Sequence, residues 1–177
     1  NADGSSCVIV ASEERAKAFS KKPVWILGAS NCYEAHYLGD RDLADCAALT
    51  KAAKKAYSMA GIRNPLREID VAEISEEFTY QELLWTEGLG FCDRGEGGKL
   101  IDSGKTRMGG KLPVNPSGGL ACFGEAVPAQ AIAQVCELTW QLRGEADGRQ
   151  AEGARVGISA NQGLFGHGSS VIVARQR

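Results

Sequence analysis

Residues 114–134 read VNPSGGLACFGEAVPAQAIAQ, a glycine-rich turn that runs into a helix. Asn115, Pro116, Ser117, Gly118 and Gly119 favour neither a strand nor the start of a long helix by propensity. From Val127 the alanines and spaced apolar residues predict a helix to about Arg143, continuous with the turn. A tight glycine turn feeding a helix brings backbone close to a ligand and aims free N–H groups at it. Glu125 stands in that mouth. It reads either as a helix-start carboxylate, favoured there by the macrodipole, or as a working group.

The surrounding 177 residues allow one domain with a real core. Apolar residues make up 44% and charged residues 24%, ordinary values for a globular chain. A net charge of −2 offers no electrostatic footprint for nucleic acid or an anionic membrane. No apolar run approaches transmembrane length, and the first residues are no signal peptide. Cys7, Cys32, Cys46, Cys92, Cys122 and Cys136 form no CxxC pair, which argues against a zinc ribbon. They are expected to be reduced thiols of a cytoplasmic protein. His36 and His167 are too few for a histidine metal cluster, so no metal is expected. The start at Asn1, without methionine, is expected of a processed subunit or of the C-terminal part of a longer polypeptide.

Upstream, residues 6–11 (SCVIVA) read as a buried strand, and Ser12 as the N-cap of a short helix over 14–19. Residues 23–28 (PVWILG) read as a strand and 29–41 as an aromatic and polar loop. Residues 42–60 predict a helix with Leu43, Cys46, Ala47, Ala53, Ala56, Tyr57 and Ala60 on one face and Lys51, Lys54 and Lys55 pointing away. Gly61 closes it. Residues 69–74 (IDVAEI) read as a strand, and SEEF at 75–78 feeds a helix to about Gly88. Residues 90–111 read as a glycine-rich surface excursion with one short hairpin. Residues 155–160 and 169–174 read as a terminal antiparallel hairpin around the loop 161–168, NQGLFGHG. Strands alternating with helices predict an α/β fold, mostly parallel, with helical layers. Three loops then meet on one side of the sheet: 75–78, 118–125 and 161–168. Open α/β sheets bind ligands outside the carboxyl ends of their strands.

These loops carry a resemblance. DVAEISEEFTYQELLWTEGLGF resembles the segment of thiolases, of the sterol-carrier-protein-X type, that bears a His-Asp-Cys-Phe motif before a helix. NPSGGL, GLACFGE and the helix ending ELTWQLRGEA resemble the turn and helix of the Gly-His-Pro motif. ARVGISANQGLFGHGSSVIVA resembles the closing hairpin, and DGSSCVIVASEE the last strand of the N-terminal thiolase half. The resemblance implies a C-terminal thiolase half of the acetyl-CoA acetyltransferase-like kind. Residues 1–20 would end an N-terminal half, and 21–177 would form the C-terminal domain. The fold implied is a mixed five-stranded sheet with helices on both faces and a C-terminal antiparallel hairpin.

The function implied is acyl transfer or carbon–carbon bond cleavage on an acyl-CoA thioester, with coenzyme A thioester as substrate or ligand and no covalently bound cofactor. In the family a cysteine of the N-terminal half takes the acyl group, a second cysteine moves a proton, and a histidine activates the nucleophile. This chain departs from that pattern. Glu125 stands for the motif histidine and Ala126 for its proline. Ser75, Glu76, Glu77 and Phe78 replace His-Asp-Cys-Phe, so Glu77 stands for the cysteine. Asn161, Gln162 and Gly163 keep the Asn-x-Gly loop of this subfamily, whose Gly163 N–H is an oxyanion-hole candidate. Gly118 and Gly119 remain as turn formers. Ser75, Gly118, Gly119, Phe165 and Gly166 are the expected substrate contacts.

Glu77 and Glu125 facing each other would share a proton and act as acid or base. The alternative is that one caps a helix and the other is solvated. His167 reads as a substitute for the lost histidine or as an exposed loop residue. Cys122 reads as a displaced nucleophile or as a small buried apolar residue. Tyr33 and Tyr37 read as acyl-chain contacts or packing. Lys99, Lys105, Arg107 and Lys111 read as CoA phosphate contacts or solvated charges. A retro-aldol reaction needs a base and an enolate-stabilising hole but no acyl-enzyme. Against an enzyme stands a non-catalytic subunit that scaffolds an acyl-CoA-processing complex. The resemblance implies an N-terminal half or partner subunit, and a homo- or hetero-oligomer that includes a zinc-ribbon, OB-fold acyl-CoA-binding protein. No nucleic acid or membrane partner is expected.

Overall fold

A computed structural model describes residues 1–163 and 165–176. Among the described residues four strands form one sheet in the order β1-β4-β3-β2: β1 is Trp25–Tyr33, β2 Val71–Ile74, β3 Val156–Gln162 and β4 His167–Ala174. β1 pairs antiparallel with β4, β4 antiparallel with β3, and β3 parallel with β2. The sheet is therefore mixed, not mostly parallel as the strand–helix alternation predicts. Local sequence does not reveal which strands become neighbours, and β1 lies beside the far arm of the terminal hairpin.

The expected fifth strand at 6–11 is absent from this sheet. Residues 1–12 contain neither helix nor strand, and Ile9 is 92% exposed. Strand propensity describes fit to a pleated surface, and the VIV run has no neighbouring strand to pair with here. The segment instead lies along a helix, with Ser6 Oγ donating to Ala129 O at 2.5 Å and Cys136 Sγ to Cys7 O at 3.4 Å. Helix α1, Glu13–Phe19, follows it, with Ser12 as N-cap accepting from Arg15 N.

β1 continues to Tyr33, through residues read as loop, because 28–33 pair with 167–172 of β4. Helix α2, Ala47–Ala60, begins later than Asp42. The Asp42 and Asp45 side chains accept from Ala44 N and Cys46 N, a turn that competes with helix. Gly61 ends α2 in the left-handed region, and Lys51, Lys54 and Lys55 are exposed. α2 lies directly on the sheet. A Cβ on Gly168 would sit 2.3 Å from Leu49 N, and one on Gly28 2.4 Å from Ala56 O.

The short helix α3, Pro65–Glu68, leads into β2, and α4, Thr79–Gly88, leaves it. Residues 90–111 contain a short helix, α5, Gly97–Asp102, in place of the expected hairpin. The helix expected to grow without a break from the glycine turn is two helices, α6 at Gly119–Phe123 and α7 at Ala129–Arg143. Gly124 takes φ 78°, and Pro128, after a cis peptide bond, has no N–H to extend the ladder.

Alternate strand residues sort into two cores. Ala72, Ile74, Ile158, Ala160 and Ile172 pack with Leu49, Ala53 and Ala56 of α2. Val71 and Val173 pack with Leu138 and Leu142 of α7 on the opposite face. The parallel pair β2/β3 ends beside the turn that precedes α6 and α7, and this places the site.

Candidate functional site at the carboxyl end of the parallel strands

The glycine turn is stitched to β2. Asn115 takes φ 51°, donates its N–H to Ala72 O at 2.8 Å and accepts from Ile74 N through Oδ1 at 2.7 Å. Its amide also donates to Glu76. Ser117 donates to the Glu73 carboxylate twice, from N at 3.0 Å and from Oγ at 2.6 Å, and Ser117 Oγ accepts from Gly119 N at 3.1 Å. Gly118 and Gly119 take φ 96° and 64°, conformations that favour glycine. Glu76 also accepts from the N–H of Ala121.

Both carboxylates are buried. Loss of water pushes Glu73 up to about 7, in spite of its Ser117 bonds, and the charges of Glu137 and Glu76 add to the rise. Burial likewise holds Glu76 above the usual carboxylate range. On the same side of the sheet Glu137, buried on α7, is gripped by the Arg149 guanidinium at 2.9–3.2 Å and by Gln141 Nε2 at 2.9 Å.

Glu77 and Glu125 meet. Glu77 precedes α4, where Gln81 Oε1 accepts from both Glu77 N and Phe78 N at 2.6 and 2.9 Å. Its carboxyl is held above the usual range by partial loss of water, then by a hydrogen bond to Glu125 and the charge of that group. Glu125 is half-buried between α6 and α7, and its carbonyl accepts from Ala2 N at 2.8 Å. Phe78 and Tyr80 stack beside the pair with centroids 6.1 Å apart, both exposed.

The third loop differs from expectation. Gly163 N donates to His167 O at 2.7 Å, so the oxyanion donor read from Asn-x-Gly is already used inside the hairpin. Asn161 donates Nδ2 to Gln134 Oε1 at 2.9 Å, while its Oδ1 is buried with no partner among the described residues. His167 is exposed, with its ring over Gly163 and 6.3 Å from that of Tyr33. Among the described residues no hydrogen bond or ion pair joins His167 to Glu77 or Glu125. Phe165 is exposed and stacks on His36 at 5.6 Å. Gly166 is buried at φ 74°, where a Cβ would meet Ala35 O and Arg41, so it is a turn glycine and not an open contact surface. Leu164, in the same loop, lies outside the described residues.

Ser75 is also enclosed. Its Oγ accepts from Gln162 N at 3.1 Å and its carbonyl from Trp85 Nε1 at 2.5 Å. A hydroxyl without the reach of the motif histidine knits β2 to β3 instead of reaching into the mouth. Cys122 is exposed, not buried. Tyr33 and Tyr37 are exposed, and so are Lys99, Lys105, Arg107 and Lys111. All six cysteines are free thiols. Among the described residues no group of three or more metal-ligating side chains occurs, and no helix is long and apolar enough to cross a membrane.

Sequence reasoning passed over Glu73 and the packing role of Glu76. The available signal was a charged residue inside the apolar strand VAEI, with the hydroxyl of NPSGG needing a partner.

The thiolase C-terminal domain-like family matches residues 29–176. An acetyl-CoA acetyltransferase of Methanothermobacter thermautotrophicus is 38% identical over 97% of this chain and 44% of its own length. Sterol carrier protein 2 of Oryctolagus cuniculus is 39% identical over 93% of the chain and 31% of its own length. The benzoylsuccinyl-CoA thiolase subunit BbsB of Thauera aromatica is 34% identical over 85% and 39%. The solved structure of an Ltp2-ChsH2(DUF35) aldolase superposes with a TM-score of 0.80 at 26% identity, over 93% of this chain and 43% of that one. The chain thus spans less than half the length of these relatives. It belongs to the thiolase C-terminal domain-like family.

Proposed function

We propose that the protein cleaves a carbon–carbon bond of a β-hydroxyacyl-CoA thioester by a retro-aldol reaction. The observation that carries this reading is the contact between Glu77 and Glu125, at the positions where the family's motifs hold a cysteine and a histidine. Two carboxyl groups in hydrogen-bond contact hold one proton more tightly than a lone group does, and so supply an acid and a base together. The carboxylate of the pair takes the β-hydroxyl proton. The bond between the α and β carbons breaks, the β carbon leaves as a ketone or aldehyde, and its electron pair passes to the thioester as an enolate. The proton returns to the α carbon and yields a shorter acyl-CoA. No cysteine nucleophile is needed. Asn161 presents an acceptor for a substrate hydroxyl through Oδ1, while Gln134 fixes its amide. Phe78 and Phe165 offer apolar surface to the acyl group.

The likeness to a named aldolase supports the reaction class. Its two-part name, and that of the thiolase subunit BbsB, support a hetero-oligomer. In this reading residues 1–20 pack with an N-terminal half, and a zinc-ribbon, OB-fold partner delivers the CoA ester. The free thiols fit a reducing compartment such as the cytoplasm.

Turnover of a β-hydroxyacyl-CoA by the intact protein with its partner, without added CoA, tests the reaction class. Retro-aldol cleavage forms a shorter acyl-CoA and a carbonyl product without free CoA, whereas thiolysis of a β-ketoacyl-CoA consumes it. Turnover only of the β-ketoacyl ester, and only with CoA, would contradict the proposal. A scaffold subunit is favoured by the engaged Gly163 N–H, and failure to turn over either ester would select it.

A further inference from the structure

Against the glycine turn lie two more carboxylates that the reaction does not use. Glu73 receives both polar groups of Ser117, and Glu76 receives Asn115 and the N–H of Ala121. Together they hold the turn and the first residues of α6, and the chain reaches Glu125 four residues after Ala121. Gly119 is pressed so closely on Glu76 that a Cβ would lie 2.0 Å from Oε1. We infer that Glu73 and Glu76 are positioning residues: a two-carboxylate clamp that sets the 115–125 segment against β2 and so places Glu125 opposite Glu77. The catalytic half of this inference rests on the reading of Glu77 and Glu125 given above.

The clamp has a clear chemical logic. A buried carboxylate without donors is costly, so each of these must be matched by N–H or O–H groups, and the turn supplies them. Burying the carboxylates therefore selects the one turn geometry that satisfies them. The charged groups acting on Glu73 are Glu76 from the loop after β2, Glu137 from α7 and, through the same field, Arg149 from the 147–149 turn. Glu76 also feels Glu82 from α4.

The test is hydrogen–deuterium exchange of amides 117–125 in the intact protein, at one pH, with steady-state kinetics on the same samples. Ser117→Ala removes the Oγ donor to Glu73 and also the acceptor of Gly119 N, so the Gly119 amide is left out of the comparison, and Glu73→Gln replaces one acceptor oxygen with a donor amide. Both are expected to speed exchange in this segment about tenfold, the effect of losing one hydrogen bond to a charged group. Ser117→Thr keeps the hydroxyl and is expected to restore protection. On active protein, kcat falls about tenfold in Ser117→Ala while KM stays within twofold, and Ser117→Thr recovers kcat. Unchanged exchange in Ser117→Ala overturns the clamp, even if Glu73→Gln does not fold. Faster exchange with unaltered kcat leaves the clamp holding the turn and overturns its role in placing Glu125. Faster exchange in a protein that turns over no CoA ester overturns the catalytic reading alone.

Discussion

Gly119→Ala is the substitution whose cost follows most directly from the geometry. The added methyl group would sit 2.0 Å from Glu76 Oε1 and 2.9 Å from Asn115 Nδ2, on a backbone at φ +64°. The left-handed conformation alone costs an alanine about 1–2 kcal/mol. Relief of the clash requires Glu76 to move, which breaks its bonds from Asn115 and Ala121. Loss of even one such bond to a charged group costs about 1.5–3 kcal/mol. The sum is about 3–5 kcal/mol, a large share of the ~5–15 kcal/mol that holds a typical domain together. Gly144→Ala is the control. At φ +72°, a Cβ there would meet nothing within 4 Å among the described residues beyond its chain neighbours, so it carries the backbone cost alone. Urea unfolding of the two variants separates the terms: Gly119→Ala should lose about 1.5–3 kcal/mol more than Gly144→Ala. Equal losses would refute the close packing of Glu76 on the turn.

Arg149→Ala should cost about 3 kcal/mol in the same assay, because it leaves the 4% exposed Glu137 side chain without its cation. A loss under about 1 kcal/mol would place that ion pair with ordinary surface pairs. Glu73 makes stability depend on pH in a defined direction. Its folded-state value, raised to about 7 from 4.5, favours folding below about 4.5, and that contribution disappears as pH rises through 7. The stability of the wild type relative to Glu73→Gln should therefore fall by on the order of 3 kcal/mol between pH 4.5 and 8. Parallel stability curves for the two proteins would contradict this. Cys46 is buried, its Sγ donates to Leu84 O, and burial pushes its thiol up to about 11. A disulfide reagent should modify exposed Cys7 and Cys122 in the native state and Cys46 only on unfolding. Rapid native labelling of Cys46 would be inconsistent with the packing of α2 on α4.

The parts legible in the sequence are those that local physics decides. Ala53, Ala56 and Tyr57 on the buried face of α2 and its Gly61 terminus follow from helical period and the steric freedom of glycine, whereas Leu43, expected on that face, precedes the helix and is exposed. The Ser12 cap follows from side-chain chemistry. The features missed depend on partners. The VIV run at 8–10 has strand propensity and no strand to join, and β1 extends beyond Gly28 only because β4 lies beside it. The break between α6 and α7 was signalled by Gly124 and Pro128, but alanine-rich sequence on both sides masked it. At the site, the meeting of Glu77 and Glu125 is readable only through the family's motifs, since 48 residues separate them in the chain. The same motifs mislead at Gly163, where hairpin pairing engages the N–H, and at Ser75, where a short side chain turns inward. Glu73 escaped notice because its meaning depends on Ser117, across the fold.

The proposed joint action of Glu77 and Glu125 is open to a double-mutant cycle on turnover. Glu77→Gln, Glu125→Gln and the double variant are assayed by mass spectrometry for the shorter acyl-CoA, using a β-hydroxyacyl-CoA and no free CoA. Each single variant is expected to lose roughly 10²–10⁴ in kcat, and the double no more than the worse single. Wild-type rates in both single variants, or losses that multiply in the double, would contradict the account.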